Sequence, residues 1–167
     1  MLLFLFVILA HGFSDIAIYD KSLSPLDCNQ LIQQANRAHS INLSNNPTWK
    51  SWDDKLFAIF SDAIRRYVAP YPVLPPATKD IGYTLMRLTK ENGTIHPFID
   101  RDAIISAVLF LNEDVAGGEW WFPLQPTQTI TPDCGRLVVF PSGYTHARGV
   151  KHIRLGEEWF IVTKFTS

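Results

Sequence analysis

Four prolines, Pro70, Pro72, Pro75 and Pro76, separate two stretches of this chain whose apolar residues recur with different periods. That change limits the folds open to it, because a helical repeat and a strand repeat bury different faces. Before the prolines, Ile16 and Ile18 alternate with polar residues as in a short strand. Ser24-Pro25-Leu26-Asp27 then offers an N-cap, a proline at the first helical position and an acid in the first turn. Cys28, Leu31, Ile32 and Ala35 follow at i, i+3, i+4 and i+7, one buried helical stripe. Residues Ser40 to Lys50 read as a loop. A second helix is predicted from about Trp52 to Val68, with Trp52, Leu56, Ile59, Phe60, Ala63, Ile64 and Tyr67 on its core face. From Ile81 onward the period is two or the apolar runs are short. Breaks fall at Asn92-Gly93, Ala116-Gly117-Gly118, Pro132 to Gly135, Pro141 to Gly143 and Gly156, which predicts six to eight strands. The pattern is α+β, a sandwich or jelly roll with two N-terminal helices braced on one sheet.

The 167 residues are 47% apolar and 13% aromatic, enough for one sizeable core without a metal or disulfide staple. Fifteen Lys and Arg against sixteen Asp and Glu, with no basic run, argue against nucleic acid as a partner. Cys28 and Cys134 are far apart in sequence, in no CxxC pattern, and read as two buried thiols. Leu2 to Ala10 is an unbroken apolar run, too short to span a bilayer as a helix. Residues 1–12 are therefore expected to be a signal peptide or a docking arm, with one domain over 13–167. A cleaved signal would place the protein in the secretory pathway or ER lumen, and the sequons at Asn42 and Asn92 agree with this. A retained arm would suit peripheral membrane association or a membrane-associated assembly. No GxSxG, HExxH, P-loop or GxGxxG motif is present.

Four blocks in the second half occur in order: Asn92 to Asp100 (NGTIHPFID), Leu109 to Asp114 (LFLNED), Gly117 to Pro123 (GGEWWFP) and Gly135 to Ser142 (GRLVVFPS). Over residues 15 to 165 the chain resembles the Fe(II)/2-oxoglutarate oxygenases of the prolyl 4-hydroxylase type. The resemblance implies a double-stranded β-helix, the cupin-like form of the jelly roll. It also implies Fe(II) held by two His and one carboxylate, with open positions for 2-oxoglutarate and O₂.

The positions that would carry this chemistry depart from the family pattern. The family's His-x-Asp pair falls on Phe98-Ile99-Asp100, and a phenyl ring has no lone pair to give to iron. His96 is the nearby substitute, on the same strand face as Asp100 but about 13 Å away along a straight strand, against about 7 Å for the usual pair, unless Pro97 permits a bulge. His96 otherwise reads as a surface histidine, and Phe98 as a core aromatic in the vacated metal pocket. His146, after the VFPS turn, matches the distal His. The family's basic anchor for 2-oxoglutarate falls on Glu158, an anion that would repel the cosubstrate. Counting back ten residues from Glu158 instead reaches Arg148, an alignment that removes the distal His as well. Lys151, Arg154 or Lys164 would have to reach in to replace the anchor. Trp120 stands where the family has a small Thr, and either Trp120 or Trp121 faces inward.

These departures predict a degenerate oxygenase with no catalytic residues and no cofactor. Such a protein would act as a structural or binding module, as an accessory subunit or a receptor for a proline-rich or extended polypeptide. The alternative is an active Fe(II)/2-oxoglutarate hydroxylase of peptidyl proline using His96, Asp100 and His146. A cupin-like small-ligand binder without metal is a third class.

Overall fold

The computed structural model describes residues 15–71, 79–125 and 128–167. The apolar segment 1–12 and the end of the proline stretch lie outside the described residues.

The chain enters through β1 (Ala17–Tyr19) and turns into α1 (Pro25–Ala35). Ser24, extended at φ −72° and ψ 151°, accepts a hydrogen bond from the Asp27 backbone N–H at 3.1 Å, which caps the helix as its sequence predicts. Asn36, left-handed at φ 46°, ends it. The stretch expected to be a loop contains β2 (Ser40–Asn42) and one 3₁₀ turn (Pro47–Trp49) leading directly into α2 (Lys50–Val68). β2 is too short and too polar to show a period. It lies at the sheet edge, where pairing with Thr84–Met86 suffices to form it.

The β half runs through β3 (Lys79–Asp80), β4 (Thr84–Leu88), β5 (Ile95–Phe98), β6 (Ile105–Phe110), β7 (Trp120–Trp121), β8 (Thr129–Ile130), β9 (Leu137–Pro141), β10 (Arg148–Val150) and β11 (Glu158–Thr166). The larger antiparallel sheet has the order β1-β9-β6-β11-β4-β2, with β3 also on β11, and the smaller sheet has the order β5-β10-β7-β8. The two sheets face each other as a jelly roll, and both helices cover the outer face of the larger one.

The large sheet is therefore buried on both sides, which explains why all six residues of β6 are buried. Ile105, Ala107 and Leu109 pack towards Leu31, Leu56 and Phe60 of the helices. Val108 and Phe110 pack between the sheets, against Trp120, Phe122 and Val150 of the smaller sheet and its loops. Among the described residues no helix is long and apolar enough to cross a membrane.

Cys28 is buried, whereas Cys134 is only partly so, and α1 brings the two together despite their separation in sequence. Burial, then the neighbouring Cys134 thiol, pushes the Cys28 thiol up to about 12. Asn42 and Asn92 are exposed, and each side chain accepts turn hydrogen bonds, from Ser44 and Asn45 and from Thr89 respectively.

Leu109, fully buried where α2 meets the sheet, sets a quantitative test of this packing. Leu109→Ala is expected to lower unfolding free energy by about 2–5 kcal/mol, read from the urea midpoint at unchanged m-value.

Candidate functional site

Between the sheets is a cavity of about 240 Å³, walled by Phe98, Trp120, Phe140, Phe160 and Val162 and lined as well by Asp100, Arg148 and Lys164. Its shape depends on the pairing of β5 with β10. Arg148 lies opposite Phe98 and Val150 opposite Ile95, so three steps on β5 face two on β10, and the register shifts there. This bulge breaks the alternation that would put His96 on the Asp100 face. Ile95 and Phe98 line the cavity, while His96 is exposed in a separate groove with Trp121, Lys151 and His152.

Asp100 is 7% exposed and fully engaged. Its Oδ2 accepts an ion-paired hydrogen bond from Arg148 Nη2 and another from Ser106 Oγ at 2.7 Å. Its Oδ1 meets Lys164 Nζ at 2.8 Å. Ser142 Oγ hydrogen-bonds Ser106 Oγ at 2.7 Å, and its carbonyl accepts the Asp100 backbone N–H at 3.3 Å. The Arg148 guanidinium lies between two rings, 4.4 Å from the centroid of Phe98 and 5.1 Å from that of Phe140. Burial pulls Arg148 down to about 10, which leaves it charged at neutral pH.

Phe98 is not a core aromatic. It is 39% exposed at the cavity mouth, its ring on Arg148. Trp120 is the inward member of the Trp pair. It stands edge-on to Phe110 and Phe160 at 5.8 and 5.3 Å, and its indole N–H donates to Glu158 Oε1 at 2.9 Å. Glu158 is fully buried behind Trp120, and its second oxygen has no partner among the described residues. That oxygen reaches to where a Cβ on Gly118 would sit, 2.4 Å away, so only glycine fits there. Burial raises the Glu158 carboxyl to about 8, which favours its neutral form near pH 7. What the position lacks is a cation.

His146 is buried in a 3₁₀ turn (Tyr144–His146), on the edge of Phe122 with ring centroids 6.3 Å apart. Its Nδ1 meets Thr145 Oγ1 at 3.0 Å, and burial lowers its pKa. His96, Asp100 and His146 are not brought together. Among the described residues no group of three His, Cys, Asp or Glu side chains could hold a metal. The residue that registers with Phe98 and pairs with Asp100 is Arg148, as the alignment through Gly156 has it. A phenyl, a carboxylate and a guanidinium contain one possible ligand among three, since guanidinium has no acceptor. Both oxygens of that ligand are taken by cations. This donor set does not fit Fe(II) held by two His and one carboxylate.

Of the other cations considered, Lys164 reaches the site, whereas Lys151 and Arg154 stay exposed away from the cavity wall. Ser106 and Ser142 escape sequence reading, although a lone Ser inside the apolar run Ile104 to Leu111 is a usable signal when both faces of a strand are buried.

The solved structures most like this one include the viral collagen prolyl hydroxylase of Paramecium Bursaria Chlorella virus-1 in its 2OG complex, with TM-score 0.71 and 15% identity over 92% of this chain and 95% of that one. A prolyl-4-hydroxylase from Pseudomonas putida matches at TM-score 0.66 and 15% identity, covering 93% and 94%. This chain has the prolyl hydroxylase-type oxygenase fold. By sequence it is similar to prolyl 3-hydroxylase 2 of Rattus norvegicus, 37% identical over 65 residues, and to prolyl 3-hydroxylase 1 of Homo sapiens, 40% identical over 65 residues. The match covers 36% of this chain and 9% of each relative. No family model matches. Within this prolyl hydroxylase-like fold, the cavity described above combines an ion cluster on Asp100 with a Trp120–Glu158 pair.

The raised Glu158 carboxyl has a definite consequence for pH. A folded value above the unfolded one gives a contribution fully present below the ordinary 4.5 and lost as pH rises through about 8. Glu158→Gln keeps an acceptor for Trp120 and removes the ionisation. Between about pH 5 and 8 the wild type is expected to lose stability relative to this variant, with a slope of up to about 1.4 kcal/mol per pH unit that levels off above about 8. Urea melts across that range check it.

Proposed function

We propose that this prolyl hydroxylase-type fold has lost Fe(II)/2-oxoglutarate turnover and serves as a binding or structural module. The observation that carries this reading is the Arg148–Asp100 ion pair at the metal position. A buried guanidinium cannot donate electrons to a metal, and its positive charge opposes a second cation at the same carboxylate. The paired change at Trp120 and Glu158 supports the same reading, because the buried indole N–H finds its acceptor in the carboxyl that stands in place of a cationic anchor. The turns and core of the fold are kept while the positions for chemistry are rebuilt, which fits a scaffold retained for association. An accessory role beside another chain, or capture of an extended polypeptide, follows from that reading. The prolyl 3-hydroxylase relatives supply the competing one, an active hydroxylase.

Titrating Fe(II) and 2-oxoglutarate into the purified chain, with succinate release as the activity readout, separates the two. The wild type is expected to show neither saturable iron binding nor 2-oxoglutarate-dependent succinate. The double variant Phe98→His/Arg148→His, which places two imidazoles beside Asp100, is expected to gain Co(II) binding with its visible absorption bands. Iron-dependent succinate from the wild type would refute the proposal.

A further inference from the structure

The ion cluster leaves both charge and hydrogen-bonding capacity unmatched. Asp100, Arg148 and Lys164 are the ionisable residues among the described residues lining the cavity: two cations and one carboxylate. Arg148 is 3% exposed, and only its Nη2 is engaged, by Asp100 and Ser106. Its Nε and Nη1 are buried with no hydrogen-bond partner among the described residues. The Phe98 and Phe140 rings stack on the faces of the guanidinium, and a stacked ring does not take up the N–H donors along its edge. Arg148 therefore keeps a charge that Asp100 offsets only in part, beside the second cation Lys164, and the cavity lining carries a net positive charge. The rest of the cavity wall is apolar, and about 240 Å³ is below the usual range for drug-sized ligands and ample for a small one. Phe98 and Lys164 both reach solvent and form its mouth.

We infer that this cavity binds a small monocarboxylate with a compact apolar body, the carboxylate meeting the Lys164 ammonium at the cationic end that Lys164 shares with Arg148, the body lying among Trp120, Phe160 and Val162. This rests on the loss of the iron centre proposed above. It differs from a cosubstrate site in requiring one carboxylate and no metal.

Benzoate is the probe, with benzamide as its neutral isostere, titrated by calorimetry into the purified full chain in chelator-treated buffer at constant ionic strength. Benzoate is expected to bind saturably and to raise Tm, and benzamide to bind at least about tenfold more weakly, as loss of a charge-assisted hydrogen bond implies. Val162→Phe, which fills the cavity and leaves the ion cluster intact, is expected to abolish binding. Lys164→Met, at a half-exposed position, is expected to weaken it about threefold or more. Equal affinity for benzoate and benzamide, or no saturable benzoate binding, overturns the inference. If Val162→Phe fails to fold, an unchanged benzoate affinity in Lys164→Met overturns it as well. Absent benzoate binding with no iron-dependent succinate removes this inference alone. Iron-dependent succinate release removes the reading beneath it too.

Discussion

A carboxylate buried between two sheets must be neutralised, and Asp100 is the group around which this molecule is arranged. In an oxygenase of this fold a metal would meet that requirement. Here Arg148 from β10 and Lys164 from β11 do so, with Ser106 from β6 donating to the same Oδ2 that Arg148 meets. Three strands of two sheets thus converge on one side chain. Removing one partner from such a cluster typically costs about 3–5 kcal/mol, because the other charge is left buried and unpaired. Replacing the whole cluster by apolar groups can be neutral, so its retention speaks to function or specificity more than to stability.

The second rebuilt position follows the same rule. Trp120 fills space at the inner end of the cavity, and its indole N–H needs an acceptor once buried. Glu158 provides that acceptor at 2.9 Å, and Gly118 makes room for the carboxyl that results. The chain departs from the oxygenase pattern in linked pairs: Phe98 with Arg148, and Trp120 with Glu158. Phe98 stacks on the Arg148 guanidinium and Glu158 accepts the Trp120 indole N–H, while Arg148 Nε and Nη1 and Glu158 Oε2 stay without partners among the described residues.

The helices, the switch of period and the jelly roll were legible in the sequence because each rests on a repeating burial pattern, such as Cys28, Leu31 and Ala35 in α1. β2 was not, since three residues at a sheet edge carry no period. In the site, Phe98, Glu158 and Trp120 were visible as departures from the family blocks. His96 is exposed, as its surface reading has it, and His146 is buried in a turn outside the cavity lining. The alternative pairing of His96 with Asp100 needs both on one face, and the register shift between β5 and β10 leaves His96 on the other. His146 sits two residues before Arg148 in a turn, so proximity in sequence gave it a role that register on β10 gives to its neighbour. Lys164 was read as one of several candidate cations, and only the pairing of β11 with β6 brings it beside Asp100.

A double-mutant cycle on Asp100→Asn and Arg148→Gln, read by urea unfolding, measures how far the carboxylate and the guanidinium depend on each other. Each single variant is expected to lose several kcal/mol and the pair clearly less than their sum, with a coupling of about 1–3 kcal/mol. Additive losses would mean that the guanidinium and the carboxylate do not depend on each other, against this account of the site.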